Sequence, residues 1–252
     1  GAGAGGARGV VSRPPGDPSN SGEGEFTVGV VVPAAGSGRR MGGLAKSFLE
    51  LSGEPILMRA LRPFLKHSGV REVVVSLPTP DAESPPAWLI ESDQRIRVAV
   101  GGKTRRDSVW AGLQALSGTL DVAVIHDGVR PLVSGDVVDR CIGLAGRGVG
   151  GVAGVPAVDT IKEVDGDLRV LATPNRSRLW HAQTPQAFPL ELIMDAYHRA
   201  FKEDVPATDD ASLVERVGGQ VVMVESSGKN LKITRPEDLD LAELMLSRGD
   251  GR

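Results

Sequence analysis

The stretch Val31-Val32-Pro33-Ala34-Ala35-Gly36-Ser37-Gly38-Arg39-Arg40-Met41 sets two glycines and two arginines directly behind an apolar run. Glycines let a backbone wrap closely round a phosphate, and nearby cations neutralise charge that builds on phosphoryl oxygens. Lys46 follows and adds a third positive charge. A dinucleotide-binding turn, G-x-G-x-x-G, needs a third glycine so that helix and strand can pack closely. Met41 stands at that place, with Gly42 and Gly43 displaced. About twenty residues on, no acidic side chain ends a second strand to hold a ribose. The loop therefore suits a triphosphate under attack better than a stored cofactor; a solvated loop whose arginines face water is the plain alternative.

Three further clusters point the same way. "GGKTRRDS" (Gly101 to Ser108) joins a strand end to a helix start and offers Arg105, Arg106 and Ser108 to an anion, or simply caps the helix. "HDGVRP" places Asp127 at the end of an apolar strand, where open α/β sheets bind ligands. A carboxylate there is a natural Mg²⁺ ligand, because Mg²⁺ takes one or two carboxylates plus substrate phosphate oxygens; capping the next turn is the competing role. "TDDAS" (Thr208 to Ser212) reads first as a helix N-cap, with Asp209 and Asp210 suited to that terminus. Lys229 and Lys232 lie between a strand and the last helix. The four histidines are scattered without metal-ligand spacing, and His126 reads as structural. No Ser/His/Asp or Cys/His set emerges. What remains is chemistry by basic residues and a metal, without a covalent intermediate.

The elements that must position these groups alternate. "TVGVVVPAAG", "REVVVSLP", "RIRVAVGG" and "LDVAVIHDG" are Val/Ile-rich runs with little polar alternation, as in strands covered on both faces of a parallel sheet. Between them, Arg105 to Leu116 carries one apolar stripe, and Ser134 to Ala145 carries another behind a capping Ser134 or Gly135. Thr234-Arg235-Pro236-Glu237 has capping-box spacing, with Leu241, Leu244 and Met245 expected as the buried stripe of the last helix. Strand alternating with helix predicts a doubly wound α/β sandwich. Residues 152 to 178 break the rhythm: strand-like content, a turn at Asp165-Gly166-Asp167 and no helix predict a projecting β-hairpin arm, commonly an oligomer contact.

Composition sets the outer bounds. The chain has 252 residues, 40% of them hydrophobic and 24% charged, which is ordinary for a soluble globular protein. A net charge of -3 gives no reason to expect a nucleic-acid or membrane partner. Cys141 is the single cysteine, in an apolar run, and reads as a buried structural thiol in a reducing compartment. Residues 1 to about 25 are Gly, Ala, Pro and Ser with little to bury, so a disordered tail without a signal peptide's apolar core is expected. Residues 26 to 248 are expected to form one domain.

The ordered set "PAAGSGRRM", Lys46, "GGKTRRDSV", "HDGVRP", "VDTIK", "NRSRLWHAQTPQAF", "TDDAS" and "NLKITRPEDLDLAE" resembles the 2-C-methyl-D-erythritol 4-phosphate cytidylyltransferase family of the non-mevalonate isoprenoid pathway. The resemblance runs over about residues 28 to 246. It implies a Rossmann-like nucleotidyltransferase sandwich with a mostly parallel twisted sheet, and a homodimer joined through the β-arm. The implied reaction joins CTP and the methylerythritol phosphate and releases pyrophosphate, with Mg²⁺. Carried over, Ala34, Ala35, Gly36 and Gly38 bind the nucleotide together with Gly102, Arg105 and Ser108. Arg40 and Lys46 match transition-state stabilisers, and Asp127 matches the metal and substrate carboxylate, with Arg130 beside it. Thr160 and Arg176, on the arm, would reach the sugar phosphate in the neighbouring subunit. Lys232 matches the lysine that positions that phosphate, with Thr184, Thr208 and Asp209 nearby.

Two places depart from the family pattern. Lys103 stands where a small acidic or polar residue is usual, and Gly128-Val129 where two small residues, commonly alanines, are expected. The chain ends soon after Leu246, and no fused cyclising domain is expected. A bacterial cytoplasm is the expected compartment, with a plastid as the other. The rival readings are a ribitol 5-phosphate cytidylyltransferase of cell-wall polymer synthesis and a non-catalytic nucleotide-binding module.

Overall fold

The computed structural model describes residues 26–36 and 46–249. The expected tail, and Gly38 and Arg40 of the glycine turn, lie outside the described residues.

Val28, Val30, Val31 and Val32 are fully buried, and this unbroken run forms β1 (Val28–Pro33). From residue 46 the chain forms one 3-10 turn, Lys46–Phe48, followed by the short pair β2 (Glu50–Leu51) and β3 (Glu54–Pro55). Next come α1 (Ile56–Lys66), β4 (Val70–Leu77), the small helices α2 (Thr79–Glu83) and α3 (Ala87–Ile90), and β5 (Ile96–Val100). Then follow α4 (Arg105–Ala115), β6 (Val122–Ile125), α5 (Gly135–Gly146) and β7 (Gly150–Pro156). A small hairpin of β8 (Glu163–Val164) and β9 (Val170–Ala172) precedes β10 (Trp180–Pro189) and α6 (Leu190–Lys202). The chain closes with α7 (Asp210–Arg216), β11 (Val221–Glu225) and α8 (Pro236–Gly249).

Seven strands form one sheet in the order β11-β7-β10-β6-β1-β4-β5. All neighbours pair in parallel except β10, which runs antiparallel to both β6 and β7. The mostly parallel sandwich expected from the strand runs is thus present. From β1 the chain builds outward to β4 and β5, then returns to place β6 on the other side of β1. That reversal opens a crevice beyond the carboxyl ends of β1 and β6.

Both sheet faces are covered. One core joins α1 and α5 to Val30, Val32 and Val75; Cys141, fully buried, belongs to it. The other joins α4, α6 and α7 to Val31, Ile125 and Phe188. Helix α4 lies so close to β1 that a Cβ at Gly112 would stand 2.4 Å from Val31 Cγ1. No helix among the described residues is long and apolar enough to cross a membrane.

Two expectations need correction. Helix α8 buries Ala242 and packs Leu239 and Leu246 against Leu51, Ile56 and Ile233, whereas Leu241 and Leu244 are about half exposed, at 45% and 47%. Its cap is closed by Asp238 rather than Glu237: the Asp238 carboxylate accepts from Thr234 N (2.7 Å), Thr234 Oγ1 (2.8 Å) and Arg235 N (2.8 Å). At about 100° per residue, Leu239, Ala242 and Leu246 form one stripe, and Leu241 and Leu244 lie on another face. In the arm segment, Val152 and Ala153 belong to β7 and the main core, so the part that projects is 157–179. It contains a 3-10 turn at Arg176–Arg178 that strand-like composition did not suggest.

Candidate active site

The loops that follow β1, β5 and β6 meet the segment before α8 around a cleft of about 630 Å³. Ala34, Ala35 and Gly36 form one wall, Gly102 to Arg105 with Ser108 a second, and Lys232 to Thr234 a third; Lys46, Ser47, Asp127 and Val129 complete it.

The second wall shows how the sequence builds the site. A Cβ on Gly101 would lie 2.5 Å from that of Ala35, and one on Gly102 would lie 2.2 Å from that of Asp107. Only glycines let the end of β5 pass between the β1 loop and the first turn of α4. Thr104 then caps α4 in a full capping box with Asp107. Ser108, buried within the turn, accepts from Gly102 N at 3.1 Å and donates to Thr104 O at 3.0 Å. The result is a rigid helix N-terminus facing the cleft, a favourable place for an anion.

Asp127 is the electrostatic centre. Its carboxylate meets Arg105 Nε at 3.0 Å, Lys232 Nζ at 3.0 Å and Arg130 Nε at 3.6 Å. Burial pushes its pKa up, but Arg105, then Lys232 and Arg130, outweigh burial and hold the group well below the usual carboxylate range. Arg105 is clamped from behind: its Nη1 and Nη2 donate to Asp210 at 3.1 and 2.8 Å. Burial opposes its charge, yet Asp210 and Asp127 raise its pKa further above the ordinary arginine value. Asp210 is fully buried and also accepts from the Tyr197 hydroxyl, whose pKa burial and Asp210 push well above normal. Lys46 also lines the cleft, donating to Thr234 O at 2.8 Å.

Beneath Asp127 lies an uncharged support. The Thr184 hydroxyl accepts from Asp127 N (2.9 Å) and lies 3.1 Å from His126 Nδ1. His126 Nε2 is 3.1 Å from Arg130 O; a carbonyl can only accept, so the ring proton sits on Nε2 and Thr184 donates to Nδ1. Complete burial pulls the His126 pKa down to about 4, which keeps the ring neutral.

The cleft thus brings together Ala34, Ala35, Gly36, Lys46, Gly102, Arg105, Ser108, Asp127 and Lys232 from the sequence-derived set. Thr184 and Arg130 stand behind Asp127, and Arg130 Nη1 donates to Asn230 O. Asp209 caps α7 by accepting from Ser212 N and also accepts from Gln186 Nε2, while Thr208 is exposed; neither lines the cleft. Thr160 and Arg176 are exposed on the arm, where the Arg176 guanidinium donates to Val158 O. Arg106 turns away from the cleft, over the Phe201 ring and onto Val205 O. Among the departures, Lys103 and Val129 do line the cleft, whereas Gly128 faces Leu57 and Val32 in the core. Sequence reasoning missed the Asp210 and Tyr197 clamp, because a helix cap fully explained Asp210 and its partner lies 105 residues away.

A mostly parallel sheet with a helix N-terminus and converging cations at its carboxyl edge defines an α/β protein of the nucleotidyltransferase kind. The chain belongs to the 2-C-methyl-D-erythritol 4-phosphate cytidylyltransferase (IspD) family, whose family model matches residues 28–248. It is 44% identical over 223 residues to the protein of that name from Symbiobacterium thermophilum, covering 88% of this chain and 94% of the relative. The Clostridioides difficile protein of the same name is 41% identical, over 86% of this chain and 93% of its own length. Among solved structures, 4-diphosphocytidyl-2C-methyl-D-erythritol synthase from Anaerococcus prevotii superposes with a TM-score of 0.79 at 30% identity, covering 88% and 97% of the two chains. The Thermus thermophilus 2-C-methyl-D-erythritol 4-phosphate cytidylyltransferase gives 0.74 at 33% identity, covering 88% and 100%.

Proposed function

We propose that this chain joins CTP and 2-C-methyl-D-erythritol 4-phosphate, releasing pyrophosphate, through in-line attack of the substrate phosphate on the CTP α-phosphate. The observation that carries this reading is the convergence of Lys46, Arg105 and Lys232 on one cleft beside the α4 N-terminus. Both reactants are anions, so repulsion is the first barrier. Fixed cations offset it and stabilise charge on the pentacoordinate phosphorus. Arg105, gripped by Asp210, is the wall that cannot swing away. Lys232 is delivered by its pairing with Asp127 to the place where the polyol phosphate enters. Lys46 faces the reacting phosphoryl group in this reading, and Arg40 joins it. The Cys141 thiol is pushed up to about 12 by burial and takes no part.

Asp127 is the one carboxylate among the described residues that line the cleft, and each of its oxygens already meets a cation. A carboxylate oxygen accepts more than one partner, so Asp127 suits a Mg²⁺ held mainly by substrate phosphate oxygens. Such an ion would supply further positive charge towards the pyrophosphate leaving group.

The exposed Val158, Leu168, Val170 and Leu171 on the arm support a homodimer in which Thr160 and Arg176 reach the partner's cleft. Residues 26–248 act in this reading as one catalytic domain. The bacterial relatives support a bacterial cytoplasm. Neither a ribitol enzyme nor a non-catalytic module is favoured by the relatives' names. The test is pyrophosphate release from CTP and Mg²⁺ with methylerythritol 4-phosphate and ribitol 5-phosphate side by side. Turnover with the first alone is expected; preference for ribitol 5-phosphate, or release with neither, overturns the reading.

A further inference from the structure

Among the described residues, few hydrogen bonds hold the turn that carries Lys46. Leu49 N donates to Lys46 O at 3.2 Å and the ammonium donates to Thr234 O at 2.8 Å, while the buried Ser47 hydroxyl has no partner among the described residues. Packing adds to these bonds, with Phe48 also lying against the main core. Phe48, the last residue of the turn, meets Trp88 edge to face, with ring centroids 5.4 Å apart and planes at 89°. Trp88 stands on the four-residue helix α3, whose Leu89 is fully buried in the main core while Trp88 itself remains 37% exposed. The indole is therefore not core filling. It covers Phe48 from outside, two residues along from the ammonium that faces the cleft.

We propose that Trp88 is a positioning residue for the reaction, bracing the Lys46 turn through Phe48. An edge-to-face pair fixes both the separation and the orientation of two rings, so it constrains the turn more than a shapeless apolar contact does. The role rests on the reading of Lys46 as the cation that meets the reacting phosphoryl group. A group displaced by about 1 Å from a reacting centre can lose on the order of 10² in rate, so removal of the brace acts on kcat. It acts little on KM for CTP, because the walls that receive the nucleotide, Ala34 to Gly36 and Gly102 to Ser108, do not include α3.

The experiment is a double-mutant cycle of Trp88→Ala and Lys46→Ala in the full chain, with Trp88→Phe alongside, reading kcat, KM for CTP and thermal melting. Trp88→Ala is expected to lower kcat about ten-fold with KM for CTP within about three-fold. Trp88→Phe, which retains a ring edge, restores most of the rate. In the Lys46→Ala background, Trp88→Ala costs less than about two-fold more, because a residue that acts through Lys46 has nothing left to position. An equal loss in both backgrounds overturns the proposal, as does an unchanged kcat in Trp88→Ala while Lys46→Ala is impaired. Unchanged kcat in Lys46→Ala removes the reading of Lys46 itself, and the positioning role with it. Should the alanine variant not fold, Trp88→Leu takes its place in the same cycle with the same expectations.

Discussion

The cleft and the arm are built on opposite terms. In the cleft, Asp127 and Arg130 are nearly buried, Asp210 completely so, and the network Arg105–Asp127–Lys232 closes on itself within one chain. In the arm, β8 and β9 together contribute only five strand residues, and Leu168 and Val158 are 80% and 77% exposed. Buried charge is costly unless it is paired, so the cleft's charge network must form as the chain folds. Exposed apolar side chains on a thin hairpin gain nothing from their own chain, and a hairpin of two strands is marginal alone. The contrast teaches that folding organises the cleft's charges, whereas the arm gains its contacts only in the homodimer proposed above.

The sharpest way to break the cleft's half of this contrast is to remove Lys46, a cation with no carboxylate partner among the described residues. Lys46→Ala is expected to lose about 10²–10³ in kcat with an unchanged far-ultraviolet circular dichroism spectrum; collapse of that spectrum would make Lys46 structural instead. Asp210→Asn tests whether the network is pre-built. It strips Arg105 of its rear clamp and should lower stability by about 3 kcal/mol, read by denaturant melting. The same substitution should lower activity by less than Lys46→Ala, because Arg105 keeps Asp127 as a partner.

Acid provides a milder probe of the cleft's underside. Folded His126 holds its pKa near 4, below the ordinary value of about 6.5. Between those values the unfolded chain binds a proton that the folded chain refuses. The contribution is therefore full above about pH 6.5 and fades as pH falls towards 4, by about 3 kcal/mol across that window. Asp127, whose folded pKa is depressed, adds its own loss only at lower pH, below the ordinary carboxylate value. The melting temperature should decline between pH 6.5 and 4, and decline less in His126→Asn, though that variant starts lower. An identical decline in both would place the acid sensitivity elsewhere.

Most of the sheet was legible because β1, β4 and β6 are buried on both faces and carry apolar runs that say so, while β5, at the sheet edge with Val100 exposed, still alternates apolar residues. The glycine walls of the cleft were legible for a related reason, since Gly101 and Gly102 answer a local steric demand. What escaped the sequence was non-local or rotational. Asp210 looks like any helix-cap acid until Arg105 arrives from α4. The α8 stripe was misplaced because the helix carries two apolar sets, Leu241/Leu244/Met245 and Leu239/Ala242/Leu246, and only packing against Leu51, Ile56 and Ile233 decides which is buried. Arg105 and Arg106 read as a pair, but neighbouring helix positions point about 100° apart, so only one of them reaches the cleft. The extent of the arm was blurred because β7 and the projecting segment share the same strand-like composition.

The reading that the cleft's charge network forms within one chain while the arm reaches a partner's cleft is tested most directly by mixing inactive proteins. Arg176→Ala and Lys46→Ala are each expected to be impaired as homodimers. If Arg176 acts in the partner's cleft, subunit exchange creates one dimer site with both residues intact, and pyrophosphate release should recover to a clear fraction of the unmodified rate. Mixed dimers, verified by differential tagging, that recover no activity would contradict the account and return Arg176 to a role within its own chain.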